Sequence, residues 1–230
     1  MPGRSPCPIL TVDGPSGSGK GTVSRTVARR TGWHLLDSGA LYRLVALAGS
    51  AAGLAPDDMA RHAGLARSMQ VEFGSRPDGE EQVRLDGRDV SGELRSEAAG
   101  AGASRVAAWP EVRTALLSRQ RAFARPPGLV ADGRDMGTVV FPEAALKIFL
   151  TATPEERALR RYKQLKDKGS DVSLPALSRE IAERDRRDQT RKVAPLHPAP
   201  DAQQIDSTSL SVDAVVARVL ELLAARALWP

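Results

Sequence analysis

No asparagine occurs anywhere in the chain, so N-linked glycosylation has no acceptor. Cysteine is reduced to Cys7, which has no internal disulfide partner, and His34, His62 and His197 are scattered without metal-ligand spacing, which argues against a structural zinc site. Aromatic residues make up only 4% of the chain, too few for the stacking platforms that bind single-stranded nucleic acid. Long apolar runs are missing as well. Leu44 to Ala48 and Val215 to Leu223 are short or broken by charge, far below the roughly 20 residues needed to cross a bilayer. Met1 to Leu10 carries Arg4 and three prolines where a signal peptide needs a continuous apolar stretch, so the expected location is the cytoplasm. Lysine is scarce, at 6 against 27 arginines. A planar guanidinium fork grips phosphate at two points, yet an alanine-rich, asparagine-free chain acquires the same bias from a GC-rich genome. Position therefore decides, not number.

With 230 residues, 41% hydrophobic and 27% charged, the chain has the composition of an ordinary globular protein. A pI near 9.8 suits an anionic partner. Ile9 to Asp13 reads as a strand, Gly21 to Arg30 as a helix with Val23 and Val27 four apart, and Trp33 to Leu36 as a second strand before a helix over Ala40 to Ala52. Leu129 to Ala131, Leu146 to Leu150 and Gln204 to Ile205 supply three more strands, each followed by polar residues. Near-continuous apolar strands alternating with helices predict a parallel sheet covered on both faces, with ligands beyond the carboxyl ends of its strands. Asp13, Ser38, Asp132 and Asp206 are expected at that rim. Residues 68 to 91 alternate apolar with polar about turns at Pro77 to Glu80 and Asp86-Gly87, which predicts a small antiparallel insert. Pro154 to Lys168 and Leu174 to Arg191 read as a helical hairpin broken at Lys168-Gly-Ser. Ser211 is the expected cap of a closing one-faced helix.

Gly14-Pro15-Ser16-Gly17-Ser18-Gly19-Lys20-Gly21-Thr22 follows a strand and opens a helix, the context that a phosphate-cradling loop requires. Its backbone N–H groups would face phosphate oxygens while Lys20 reaches the β and γ phosphates. Where the usual loop puts Ser or Thr directly after the Lys to hold Mg²⁺, this chain has Gly21, with Thr22 one place later. The metal is then expected to be held mainly by phosphates and water, with Thr22 and Asp132 as the protein groups nearest to help. In Leu35 to Arg43, Ser38 offers a hydroxyl at a helix start and Arg43 lies about one turn in, poised for an anion. In Leu129 to Thr138, a hydrophobic strand delivers Asp132, with Arg134 and Asp135 close behind. Arg184, Arg187, Asp188 and Arg191 fall at helical spacing on one face of the hairpin's second helix, and Arg157 and Arg161 share a face of the first.

Taken in this order, and with the form GxxGxGKGT, these stretches resemble the P-loop nucleoside monophosphate kinases, and the bacterial-type cytidylate kinases essentially end to end. The 68 to 91 insert favours the latter over adenylate kinases, which cover the monophosphate with a short helical segment. The resemblance implies an α/β fold: a P-loop NTPase-type five-stranded parallel sheet covered by helices, with a small antiparallel insert and a helical-hairpin lid. Residues 1–60, 104–153 and 192–230 would form the core, 61–103 the monophosphate-binding insert and 154–191 the lid. It implies transfer of the γ-phosphoryl group of ATP, with Mg²⁺, to CMP or dCMP by a monomer in the cytoplasm, with no nucleic-acid or membrane partner. Ser38, Tyr42, Arg43, Ser104, Arg113, Arg134, Asp135, Arg184, Asp188 and Arg191 would bind the monophosphate. Arg157, Arg161 and Arg187 would serve the ATP side with Gly14 to Thr22, and Lys20, Asp132, Arg134 and Arg191 would act on the transfer itself. Asp135 can accept from cytosine N4 while Ser104, Arg113 and Arg134 donate to O2 and N3.

Other readings fare less well on the residues. A guanine-nucleotide switch needs an Asn-Lys-x-Asp or Thr-Lys-x-Asp motif, and neither occurs. A nucleic-acid binder would show a dedicated motif besides positive charge. Within the kinase class, adenylate, uridylate or thymidylate is the alternative acceptor.

Overall fold

The computed structural model describes residues 7–75, 81–167 and 169–230. The turn expected at Pro77 to Glu80, the first six residues and Lys168 lie outside these. In chain order the elements are β1 (Ile9–Asp13), α1 (Lys20–Thr31), β2 (His34–Asp37), α2 (Ser38–Ala51), α3 (Met59–Ser68), β3 (Val71–Ser75), β4 (Glu81–Leu85) and β5 (Arg88–Asp89). Then come α4 (Ser91–Leu94), α5 (Glu97–Val106), α6 (Pro110–Arg121), β6 (Leu129–Gly133), a π-helical turn (Met136–Val140), β7 (Leu146–Thr151), α7 (Pro154–Lys166), α8 (Leu174–Thr190), β8 (Gln203–Asp206) and α9 (Val212–Ala224). The chain divides into two compact units, one running to Asp37 and resuming at Arg121, the other spanning Ser38–Gln120.

The first unit holds the expected five-stranded parallel sheet, in the order β2-β6-β1-β7-β8. Every residue of β6 is buried, as a central parallel strand covered on both faces requires. Leu10 and Val12 of β1, Val130 of β6 and Leu146, Ile148 and Leu150 of β7 pack with Val23 and Val27 of α1 and with Val215, Val216, Val219 and Leu223 of α9. Each such side chain contributes about 1.5–3 kcal/mol of burial. The Ser211 hydroxyl accepts from the Ala214 N–H at 3.2 Å and starts α9 as its sequence suggests. Helix α1 stops at Gly32, whose left-handed φ of 71° lets its N–H reach the Ala28 carbonyl.

Strand register brings three carboxylates together. Asp37 of β2 pairs with Asp132 of β6, and Asp132 with Val12 of β1, so Asp37 and Asp13 end their strands and Asp132 stands one residue before the end of β6 between them. Asp132 belongs to its strand, which runs two residues beyond the expected Ala131. Asp206 likewise ends β8, exposed and bonded to Thr208.

In the second unit, β3, β4 and β5 form the antiparallel sheet expected between 68 and 91, with Val83 and Leu85 turned inward. This unit is wider than the 61–103 insert because α2 docks into it. A Cβ at Gly49 of α2 would lie 2.2 Å from His62 Nε2 of α3, and one at Gly102 of α5 would lie 2.8 Å from Ala46 Cβ. His62 in turn meets Trp109 edge-on, with ring centroids 5.2 Å apart. Among the described residues no helix is long and apolar enough to cross a membrane.

Candidate active site

The chain leaves β1 through Gly14, whose φ is +153°. A Cβ there would lie 2.1 Å from the Leu150 carbonyl oxygen of β7, so only glycine lets the loop begin this close to the sheet. Gly19 caps α1 in the left-handed region with no side-chain hydrogen bond to the helix end. The backbone N–H groups and the positive end of the helix dipole there suit phosphate oxygens. Lys20 is buried, and its Nζ donates to the Pro15 carbonyl at 3.1 Å.

The carbonyls of this loop are held by side chains far away in sequence. Arg157 of α7 donates from Nη1 to Ser16 O at 3.1 Å, from Nε to Ala152 O at 3.0 Å, and through both terminal nitrogens to the Asp185 carboxylate of α8. Arg160 donates to Ser18 O at 3.3 Å and to the carbonyl and hydroxyl of Ser207, whose own Oγ lies 3.1 Å from Ser18 O. A loop gripped by its carbonyls keeps its N–H groups turned the other way. Arg157, expected as an ATP contact, is therefore placed to act through Ser16. Arg160, Asp185 and Ser207 were not singled out from the sequence. The one available signal was the three-residue step from Arg157 to Arg160.

Burial shifts the charges at this rim. It pushes Asp132 up from the usual carboxylate range, with Asp37 adding to the rise and Lys20 opposing it. It pushes Lys20 down, helped by Arg134 and opposed by Asp132. Both changes move the pair towards neutrality, because burial outweighs the opposite charge that each group offers the other. Asp13 is pushed up to about 7 by burial, against the pull of N–H donors from Gly137 and Met136.

Behind β6, Arg134 donates from Nε to Asp188 of α8 at 3.0 Å. Burial would raise the Asp188 carboxyl, but Arg134, Arg184 and Arg191 together hold it below its ordinary value. The structure thus brings four of the predicted residues into one charged group. Arg187 is not in it: three residues on from Arg184 it lies about 60° round the helix, exposed and 3.9 Å from Glu183. Arg161 is half-buried, 3.4 Å from Gln164 Oε1. Asp135 is buried at the start of the π turn.

The second unit places its own predicted residues as follows. Ser38 opens α2, buried, and donates to Gln120 Oε1 at 2.8 Å. The Arg113 guanidinium lies 5.9 Å from the centre of the buried Tyr42 ring and donates to Ala107 O. Arg43 donates to Leu94 O at 2.6 Å. Among the described residues the hydroxyl of the half-buried Ser104 has no hydrogen-bond partner. Gln120, which sequence reasoning missed, is 1% exposed and carried no signal beyond its place on an amphipathic helix.

Among the described residues no three His, Cys, Asp or Glu side chains converge as a metal cage. What the structure offers is narrower. A Cβ at Gly21, directly after Lys20, would press on Asp132 Oδ2 at 3.2 Å, so glycine leaves that carboxylate room beside the loop. A single hard oxygen donor at a phosphate loop fits Mg²⁺, which keeps several waters and takes further ligands from substrate phosphates. Thr22 is exposed.

The family model for cytidylate kinase matches residues 10–225. The chain is 58% identical over 222 residues to a cytidylate kinase of Stutzerimonas stutzeri, covering 96% of this chain and 97% of that one. It is 57% identical to one from Pseudomonas putida, over 97% and 98% of the two chains, and 56% identical to one from Azotobacter vinelandii, over 95% and 96%. Glycine loop, strand-end Asp132, arginine group and full-length likeness agree, and the chain belongs to the cytidylate kinase family.

Proposed function

We propose that this protein transfers the γ-phosphoryl group of ATP to CMP or dCMP, releasing ADP and CDP or dCDP. The observation that carries the reading is near-full-length identity of 56–58% to proteins named cytidylate kinase. A phosphate oxygen of the monophosphate attacks the γ phosphorus, and a new O–P bond forms as the bond to the bridging oxygen of ADP breaks and its electron pair leaves with ADP. Such a transition state spreads charge over the moving group, so positioning and cationic groups do most of the work. In this proposal Lys20 and the N–H groups of Gly14 to Thr22 hold the ATP phosphates. Arg134, Arg184 and Arg191, oriented by Asp188, receive the acceptor. Ser38, Tyr42, Arg43, Ser104 and Arg113 are assigned to monophosphate binding, and Asp135 to reading cytosine N4.

Mg²⁺ bound with ATP would neutralise the β and γ oxygens, with Asp132, through water, and Thr22 as the protein groups nearest it. Residues 154–191 would close over the phosphates as a lid and exclude water, Arg161 and Arg187 serving the ATP side. Residues 61–103 would be the monophosphate insert, on a core of 1–60, 104–153 and 192–230. Action as a monomer in the cytoplasm, where ATP and CMP occur, without nucleic-acid or membrane partners, belongs to the same proposal. A coupled assay with ATP and Mg²⁺ against AMP, CMP, dCMP, UMP, GMP and dTMP tests it. The highest kcat/KM is expected for CMP and dCMP, and a preference for AMP or dTMP would overturn the reading.

A further inference from the structure

Asp13 is a buried carboxylate that ends β1 directly before the glycine loop and that the proposed function leaves without a role. Its Oδ1 accepts the Met136 N–H and its Oδ2 the Gly137 N–H, both at 2.8 Å. Both donors belong to the π turn that follows Arg134 and Asp135 directly. β1 is paired in register on both sides, Asp13 itself standing opposite Gly133 and Phe149, so the strand is the fixed member and the turn is what is held. The turn also lies close against the same face of the sheet, since Thr11 is two residues before Asp13 on β1 and Lys147 is its partner on β7. A Cβ at Gly137 would lie 2.9 Å from Thr11 Oγ1 and 3.1 Å from Lys147 Cδ, and Met136 is completely buried. A buried carboxylate whose two oxygens each take one of two successive N–H groups is an expensive arrangement to keep inside a protein, and it fixes the backbone to within a hydrogen bond's tolerance.

We propose that Asp13 is a positioning residue for the acceptor nucleotide: by holding the Met136 and Gly137 N–H groups it fixes the backbone from which Arg134 and Asp135 project. This rests on the acceptor role given above to Arg134 and Asp135. Asp13 touches no substrate, and its effect reaches the reaction through those two side chains. An amide at this position keeps one acceptor but points an NH₂ group at the second N–H, so Asp13→Asn keeps one bond and replaces the other with two donors facing each other.

The test compares wild type, Asp13→Asn and Gly137→Ala. The last keeps the carboxylate and pushes the turn away, so it answers the question should Asp13→Asn fail to fold. Steady-state kinetics in both substrates should show KM for CMP raised about tenfold or more and kcat lowered, with KM for ATP within about twofold. Amide hydrogen exchange without nucleotide should speed up at Met136 and Gly137 while β1 and β7 keep their protection. Equal rises in both KM values, or exchange that rises throughout the sheet, would reduce Asp13 to a general structural residue and overturn the proposal. Unchanged kinetics would do the same. If the acceptor panel returned another monophosphate, the functional reading would fall, while the same KM split, read with that acceptor, would still decide on Asp13.

Discussion

Arg157 and Arg160 of α7 give their donors to protein oxygens, among them the Ser16 and Ser18 carbonyls of the phosphate loop, whereas Arg184 of α8 and Arg191 at its end join Arg134, the residue after β6, around the buried carboxylate of Asp188. Both sets come from the same arginine-rich composition and from helices of one hairpin. In the first, each guanidinium lies against neutral carbonyls with a carboxylate alongside, and the arrangement is complete within the protein. In the second, three cations surround one carboxylate, and the surplus charge suits an incoming anion. Counting arginines could not separate these roles. What separates them is whether the partner is a carbonyl of the loop or a shared acid, and that is decided by tertiary structure.

The largest expected effect falls on the first set and on stability. Arg157→Ala leaves the half-buried Asp185 without its cation, and because breaking a fully buried pair commonly costs about 3–5 kcal/mol, a loss towards the lower end of that range is expected. Chemical denaturation should show that loss, together with a raised KM for ATP as the Ser16 carbonyl is released. A variant as stable as wild type would break the distinction between the sets. Lys20→Ala should act the other way round. A preorganised contact to developing phosphoryl charge is worth about 3 kcal/mol or more, so kcat should fall at least a hundredfold. Relief of a buried cation should keep the thermal midpoint at or above wild type. Retention of more than about a tenth of kcat would contradict the role of the loop.

A third change sharpens the second set. Asp135→Asn should reduce kcat/KM for CMP more than for UMP, narrowing their ratio by about 1–3 kcal/mol, the scale of a buried polar group deprived of its partner. Equal losses would show that Asp135 only ties down its turn. The smallest effect concerns pH. Burial, with Asp135 and Asp132 adding to it, raises the folded-state pKa of Asp13 to about 7, above its unfolded value. Its contribution to stability is therefore full at low pH and lost as pH rises through about 7. Asp13→Asn lacks that loss, so calorimetry should find its thermal midpoint gaining on wild type between pH 5 and pH 8. Parallel curves would argue against a buried, raised carboxyl.

Much of this architecture was legible in the chain. Gly14, Gly17 and Gly19 must be glycine because of backbone geometry that follows from the loop itself, and the five strands announced themselves as short apolar runs ending in polar residues. The antiparallel insert showed through its alternation. The clamps on the loop did not show, because they join residues 141 and 189 positions apart, Arg157 to Ser16 and Ser207 to Ser18, with no local pattern to mark them. Ser38 and Gln120 are hidden for the same reason, at a separation of 82. Helical spacing put Arg184, Arg187, Asp188 and Arg191 on one face, and of these Arg184 and Arg191 act on Asp188 while Arg187 is exposed beside Glu183, a difference that spacing alone does not carry.

Calorimetric titration of CMP into wild type, Arg184→Ala and Arg157→Ala, at a temperature where all three are folded, tests the division between the two sets most directly. Arg184→Ala is expected to raise the Kd for CMP about tenfold or more, and Arg157→Ala to leave it within about twofold. The reverse order, or equal weakening by both, would contradict that division.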